Sequence, residues 1–212
     1  MRRLLAGRRA GEPTRRGTPP DLVVVGLGNP GREFEGTRHN VGADAVLELS
    51  KRHGSGRMKP LKGVRALVEE VRIGGHRVVL AVPTTYMNES GNAVGPLVRR
   101  YGLEDPEHLV IVHDELDLPA GGLQVKVGGG LAGHNGLRSI QAHLHTDGFL
   151  RIRIGIGKPP HEGADHVLSR PSRSERALLD TTTALAADAV ETIATSGVGA
   201  DMNRFNAKAT QS

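Results

Sequence analysis

His39 and Asp114 are the side chains of this sequence best suited to acid–base chemistry. His39 directly precedes a predicted helix at residues 41–52, and Asp114 follows a short run of apolar residues. The positive end of a helix dipole disfavours imidazolium, so His39 is expected to be a neutral proton acceptor if Asn40 caps the helix. Asp114 could then hold the ring in one tautomer. The chain has ten histidines, and the alternative for His39 is an ordinary surface residue.

Other short polar side chains lie in loops at the ends of predicted strands, where open α/β folds keep their sites. They are Asn29, Asn40, Asn88, Asn135, His113 and His134. Neutral amides can bind a peptide group or a developing oxyanion. The alternative for Asn29 is a residue of a tight turn. Since the chain has no cysteine and no G-x-S-x-G motif, the predicted nucleophile is an activated water.

Two further kinds of site are considered and disfavoured. Residues 26–31 read G-x-G-x-x-G after an apolar run, which matches the dinucleotide-binding motif. No helical pattern opens on Gly31, however, so a nicotinamide-dependent oxidoreductase is a weak alternative. Asp114, Glu115 and Asp117 could bind Mg²⁺, but acidic residues in a polar turn are common. We therefore predict no metal and no cofactor.

A basic segment could bind phosphate. Residues 121–160 contain five basic side chains and one acidic side chain. Lys126 and Arg153 fall on predicted neighbouring strands and could clamp one phosphate group. The alternative is a solvated sheet edge.

The predicted elements alternate between strands and helices, with one hairpin. This order indicates an α/β fold: a single domain with a mixed twisted sheet and helices on both faces, in three layers. Residues 1–20 carry six arginines and one glutamate, which accounts for the net charge of +5. We predict that residues 1–20 are a disordered basic extension and that residues 21–212 form the domain.

Five motifs in register resemble the bacterial-type peptidyl-tRNA hydrolase family. They are VGLGNPG, TRHNVG, PTTYMNESG, HDELDLPAG and GGGLAGHNGLRSI, and the match continues through FLRIRIGIGKP. The resemblance spans about Asp21 to Ala207. It implies an esterase that cleaves the bond between a peptide and the 3′ end of tRNA, thereby recycling tRNA from prematurely released peptides.

The resemblance also implies residue roles. His39 would be the general base, Asp114 its partner, and Asn29 a contact near the scissile ester that helps to distinguish peptidyl- from aminoacyl-tRNA. Asn88 and Asn135 would bind the peptide–tRNA junction, and Lys126 with Arg153 would hold a tRNA phosphate. The cleft would be lined by Phe34, Tyr86 and Met87. Phe34 stands where the family often has tyrosine, so a hydroxyl contact would be lost there.

Expectations about partners follow from the same resemblance. The protein would be a cytoplasmic monomer that binds peptidyl-tRNA and no membrane. One alternative stays open, since some relatives of this family are RNA-binding partners in splicing that need no catalysis. Retention of His39, Asp114 and the asparagines favours the enzyme.

Overall fold

The computed structural model describes residues 18–158 and 163–206, which form one mixed β-sheet with helices on both faces. The strands are β1 (Leu22–Gly26), β2 (Lys59–Pro60), β3 (Ala66–Ile73), β4 (His76–Pro83), β5 (Leu109–Glu115), β6 (Leu123–Val127) and β7 (Leu150–Gly155). The helices are α1 (Val41–His53), α2 (Gly91–Tyr101), α3 (Asn135–Leu144), α4 (Gly163–Leu168), α5 (Arg173–Ser196) and α6 (Val198–Asn206). Short 3-10 turns lie at Arg38–Asn40, Met87–Glu89 and Pro106–His108.

The strand order brings several loops to one edge of the sheet. The order is β2-β3-β4-β1-β5-β7-β6. The pairings β4–β1, β1–β5 and β5–β7 are parallel, whereas β2–β3, β3–β4 and β6–β7 are antiparallel. Because the four central strands run in one direction, their carboxyl ends meet at the same edge, as open α/β sites require.

The alternating side chains of the strands feed two hydrophobic cores. Val24, Val112 and Ile152 face α1, α5 and α6 on one side of the sheet. Val25 and Ile111 face α2 and α3 on the other. This confirms the predicted three-layer α/β fold. No helix within 18–158 and 163–206 has the length and apolar character to cross a membrane.

The glycines of the G-x-G-x-x-G motif pack against the protein itself. A Cβ on Gly26 would collide with the carbonyl oxygen of Gly42, in the first turn of α1, and a Cβ on Gly42 would collide with the carbonyl oxygen of Val112. The amide of Ala43 donates to the carbonyl of Leu27 at 2.9 Å. These contacts seat the start of α1 directly on the ends of β1 and β5. The helix starts at Val41 rather than on the last glycine of the motif, which argues against a dinucleotide site.

Some elements differ from the prediction. β5 continues through Asp114 and Glu115, so Asp114 lies within the strand instead of in the loop after it. The edge strand β2 and the short helix α4 were not predicted, because their sequences show no clear periodicity of apolar residues. Positions 1–17 of the predicted disordered extension, residues 1–20, lie outside the described residues. So do positions 207–212 of the predicted domain, residues 21–212.

Candidate active site

His39 and Asp114, which are 75 residues apart in the chain, form a buried hydrogen-bonded pair at the carboxyl edge of the sheet. His39 Nδ1 lies 2.8 Å from Asp114 Oδ1. Since a carboxylate only accepts hydrogen bonds, His39 Nδ1 carries a proton and donates it, and in the neutral ring Nε2 is the nitrogen with the lone pair. The two residues are 8% and 3% exposed, so little water competes for this bond.

His134 is a second histidine on the same carboxylate, and the sequence grouped it with the loop residues of the site without predicting this role. Its Nε2 lies 3.0 Å from Asp114 Oδ1. Its Nδ1 accepts hydrogen bonds from the amides of Gly136 and Leu137 at 3.1 and 3.3 Å, which makes His134 the side-chain N-cap of α3. An accepting Nδ1 leaves the proton on Nε2, which therefore donates to Asp114. The available signal was its position two residues before a glycine at a predicted helix start.

His134 and His39 keep Asp114 ionised. Burial would raise the pKa of this carboxyl group, but electrostatic interactions with His134 and His39, together with the hydrogen bonds that they donate, outweigh burial and hold the pKa below its ordinary value of 3.8. A buried anion therefore anchors both rings, each in a defined tautomer.

The same three residues bear on the question of a metal. One ligand atom from each of His39, Asp114 and His134 lies within 4.8 Å of the others. The hydrogen bonds disfavour a cation, because the cap of α3 requires the proton of His134 to stay on Nε2, the atom that would bind the metal. The acidic cluster considered from the sequence is divided among separate partners: Glu115 pairs with Arg153 and Asp117 with Lys158.

Asn40 holds Asn29 in place instead of capping α1, which corrects the expectation from the sequence. No side-chain cap forms at α1. Asn40 Oδ1 accepts from the amide of Asn29 at 2.8 Å, and Asn40 Nδ2 donates to the carbonyl of Asn29 at 3.0 Å. Asn29 Oδ1 accepts from the amide of Met87 at 2.7 Å. Its Nδ2 has no partner among residues 18–158 and 163–206.

The other predicted cleft residues divide into exposed and buried side chains. Asn88 and Asn135 are exposed at the starts of the turn Met87–Glu89 and of α3. Tyr86 is 55% exposed, and its ring lies edge-on to Phe34 at 6.3 Å. Met87 is only 4% exposed and packs in the core on the α3 side of the sheet. Its backbone amide binds Asn29, while its side chain is buried in the core.

Lys126 and Arg153 lie on adjacent strands, as predicted, but in different environments. In the β6–β7 register, Lys126 is opposite Arg151 and Arg153 is opposite Gln124. Arg153 donates to Glu115 at 2.9 Å, so its charge is already neutralised. Arg151 is fully buried and donates to the carbonyl of Gly130 at 2.9 Å. Since no carboxylate within residues 18–158 and 163–206 pairs with Lys126, Lys126 is the member of the predicted clamp whose charge is available to a ligand.

A cavity of about 280 Å³ opens above the His39–Asp114 pair. Apolar side chains form much of its wall, with α4 contributing on one side. Its lining includes His39, Asp114, Leu116, Ala132, His134 and Val167. This arrangement can hold an uncharged group against a histidine that is ready to accept a proton.

His113 lies beneath this site as a neutral, fully buried ring. Its Nδ1 donates to the carbonyl of Asp114 at 2.7 Å, and its ring packs edge-on against His134 at 4.9 Å. Burial, with a smaller contribution from His134, lowers the pKa of His113 to about 3, from an ordinary value of 6.5.

This pKa makes the stability of the protein sensitive to acid. Between pH 6.5 and about 3, the unfolded chain binds a proton at His113 that the folded chain refuses, so the free energy of unfolding falls as the pH falls. From pH 7 to pH 4 the expected loss from this residue is about 3 kcal/mol. Urea unfolding at both pH values should show a smaller loss for His113→Phe than for the wild type. The exposed His108→Gln is the matched control, and equal losses in all three proteins would contradict the assignment.

Comparisons with known proteins agree in one family. The family model described as peptidyl-tRNA hydrolase matches residues 23–212. A peptidyl-tRNA hydrolase of Cutibacterium acnes is 47% identical over 199 residues, covering 88% of this chain and 98% of that protein. One from Rubrobacter xylanophilus is 50% identical over 188 residues, covering 87% and 100%. A crystal structure of peptidyl-tRNA hydrolase from Acinetobacter baumannii, 38% identical, superposes with a TM-score of 0.83 over 91% of this chain and 97% of that one.

Proposed function

The chain belongs to the peptidyl-tRNA hydrolase family, and from this premise we propose that it hydrolyses the ester between a peptide and the 3′ oxygen of tRNA with His39 as general base. It is a hydrolase of that family. The substrate and the role of each residue are our proposal. The observation that supports it is the array in which Asp114 Oδ1 lies within hydrogen-bond distance of both His39 Nδ1 and His134 Nε2, so that His39 Nε2 is the ring nitrogen not bound to Asp114.

The array supports a direct mechanism. His39 Nε2 takes a proton from water as the water oxygen attacks the ester carbonyl carbon. Asp114 stabilises the imidazolium that forms and keeps the ring in orientation. Collapse of the tetrahedral intermediate breaks the bond to the 3′ oxygen, and the proton held by His39 is available to that leaving oxygen. Peptide acid and free tRNA are the products.

The asparagines suit the uncharged groups around the ester. Asn29 Oδ1 is occupied by the amide of Met87, so Asn29 presents its NH₂ group to the substrate. That donor fits a peptide carbonyl, which an aminoacyl-tRNA with its free ammonium group lacks. Asn88 and Asn135 have exposed amides that can donate to the developing oxyanion or position the water.

The experiment that tests this function is peptide release from N-blocked aminoacyl-tRNA, with unblocked aminoacyl-tRNA measured in parallel. Release from the blocked substrate alone is the expected result. Binding of tRNA without release from either substrate would overturn the hydrolase and favour an RNA-binding role. Equal cleavage of both substrates would refute the role of Asn29.

Lys126 is expected to contribute to tRNA binding and not to the chemical step. It lies on the edge strand β6, and a phosphate contact there would position the tRNA without reading its sequence. Lys126→Ala should raise KM several-fold, leave kcat unchanged, and reduce the slope of log KM against log salt by about one. Arg153 is a poorer test, because its removal would leave the buried Glu115 without its partner.

The matched control is Lys62→Ala, an exposed lysine beyond β2 at the opposite end of the strand order. It should keep the KM and salt dependence of the wild type. An unchanged KM in Lys126→Ala would remove Lys126 from the tRNA interface.

A further inference from the structure

Arg38, the residue before the proposed base, has a nearly buried guanidinium group that joins distant parts of the chain. Its Nε and Nη2 donate to the two carboxylate oxygens of Glu175, each at 2.6 Å. Its Nη1 donates to Ser169 Oγ at 2.6 Å and to the carbonyl of His166 at 3.3 Å. The Arg38 side chain is 9% exposed. Every nitrogen of the guanidinium group thereby binds α4, the first turn of α5 or the connection between them.

A second arginine, which belongs to the α4–α5 connection, donates hydrogen bonds to the loop that precedes Arg38. Arg170, in the α4–α5 connection, donates to the carbonyls of Glu35 and Arg32 at 3.2 and 3.4 Å. The backbone amide of Arg38 also donates to the carbonyl of Ser169 at 3.3 Å. The α4–α5 connection is thus bound to the loop that carries His39 by contacts from both sides.

The Arg38–Glu175 pair has the geometry of a specific contact. A two-point arginine–carboxylate pair fixes direction as well as distance, which a single point charge does not. The hydrogen bonds from Arg38 lower the pKa of Glu175 below its ordinary value, so the carboxylate stays ionised at neutral pH. Glu175 follows the N-cap Ser172 of α5, whose Oγ accepts from the Glu175 amide at 3.3 Å. The carboxylate is therefore mounted on a fixed helix start.

Arg38 and Glu175 do not line the proposed catalytic cavity themselves, but residues close to the contacts of Arg38 do. His39 directly follows Arg38 in the same 3-10 turn. Val167, which lies between the Arg38 partners His166 and Ser169 in the chain, also lines the cavity. A displacement of about 1 Å in a reacting group can cost up to about 100-fold in rate, so the turn needs such support.

We propose that Arg38 is a positioning residue for hydrolysis, whose paired contact with Glu175 and Ser169 fixes the turn that carries His39 and seats Val167 as a wall of the cavity. This inference rests on the proposed hydrolase function. Arg38 does not touch the ester; it acts through His39 and the cavity wall.

The test compares Glu175→Gln with a matched ion-pair variant on the same helix. Glu175→Gln keeps the shape of the side chain and removes the charge that Arg38 holds at two points. Asp188→Asn is the control: Asp188 of α5 pairs with Arg52 of α1. Arg52 is near the far end of α1, about 18 Å along the helix from the catalytic turn. Both variants and the wild type are assayed for release of an N-blocked peptide, with kcat, KM and melting temperature measured for each.

Glu175→Gln is expected to lower kcat about tenfold with little change in KM, while Asp188→Asn keeps the wild-type kcat. Arg38→Lys retains the charge without the two-point geometry and should lose activity to a similar extent. An unchanged kcat in Glu175→Gln overturns the proposal, and so does an equal loss in Asp188→Asn or a loss explained by a smaller folded fraction.

A milder variant keeps the test decisive if Glu175→Gln does not fold. Arg170→Gln removes only the two contacts from the exposed Arg170 to Glu35 and Arg32, and should lower kcat several-fold. A wild-type kcat in that variant would also overturn the proposal. Absence of peptide release by the wild type would overturn the hydrolase function itself, and this inference with it. Normal release by the wild type with full activity in every variant would refute only the role of Arg38.

Discussion

We expect His39→Ala to lower kcat for release of an N-blocked peptide by about 1000-fold and to change KM little. His39 lines the cavity, and its Nε2 is the ring nitrogen that does not bind Asp114. Loss of the imidazole therefore leaves the water without a positioned proton acceptor. General-base catalysis contributes about 10²–10⁴-fold in enzymes, which sets the size of the effect. Single-turnover release under excess enzyme is the measurement, because it separates the chemical step from binding.

The control for this variant is His76→Ala. His76 begins β4, at the opposite edge of the sheet from the site. It should retain the wild-type kcat. A His39→Ala protein within threefold of the wild type, at equal tRNA binding, would show that another group accepts the proton.

Asp114→Asn is expected to lower kcat by about 10²–10⁴-fold, with the protein still folded. A side-chain carbonyl at this position can accept hydrogen bonds from both rings, so the fold keeps its contacts. The negative charge opposite the imidazolium of His39 is lost, however. A rotated amide would also present an NH₂ group to His39 and place the ring proton on Nε2, the wrong nitrogen. Either effect removes the base without removing the histidine.

Comparison with Asp114→Ala separates the effect of the negative charge from the effect of the hydrogen bonds that Asp114 accepts. Alanine offers no acceptor to His39 or His134, so a loss of thermal stability should accompany the loss of activity only in that variant. An Asp114→Asn protein with nearly full activity would mean that the carboxylate serves the fold and not the reaction.

Much of the fold could be predicted because its signals are local. The apolar–polar alternation along Leu150–Ile156 predicts a strand, and the spacing of Leu137, Ile140 and Leu144 predicts a helix. Both patterns depend only on neighbours in the chain, and the structure has β7 and α3 there. The late start of α1 also followed from the absence of a helical pattern after Gly31. The strand β2 has only two residues, which is too short for any periodicity.

The site was only partly predictable because its partners are far apart in sequence. His39 and Asp114 were paired on residue type and strand position, and the structure brings them together. His134 was placed among the loop residues of the site, but its role could not be predicted, since that role depends on a carboxylate 20 residues away and on the cap of α3. Asn40 was expected to cap α1 by a local rule, but its side chain binds the backbone of Asn29 instead, a long-range contact that no local pattern contains. Arg153 was predicted to bind a phosphate, but its ion pair with Glu115, 38 residues earlier in the chain, cannot be predicted from local sequence.

The double use of Asp114 Oδ1 has a consequence for small-molecule ligands of the cavity. Two N–H groups already occupy the oxygen between the rings, so a cationic fragment designed to pair with that oxygen would have to displace both. The complementary fragment is neutral: a hydroxyl or amide N–H directed at His39 Nε2, with an apolar group beside Leu116 and Val167. Uncharged scaffolds are therefore the rational starting point for inhibitor discovery against this site.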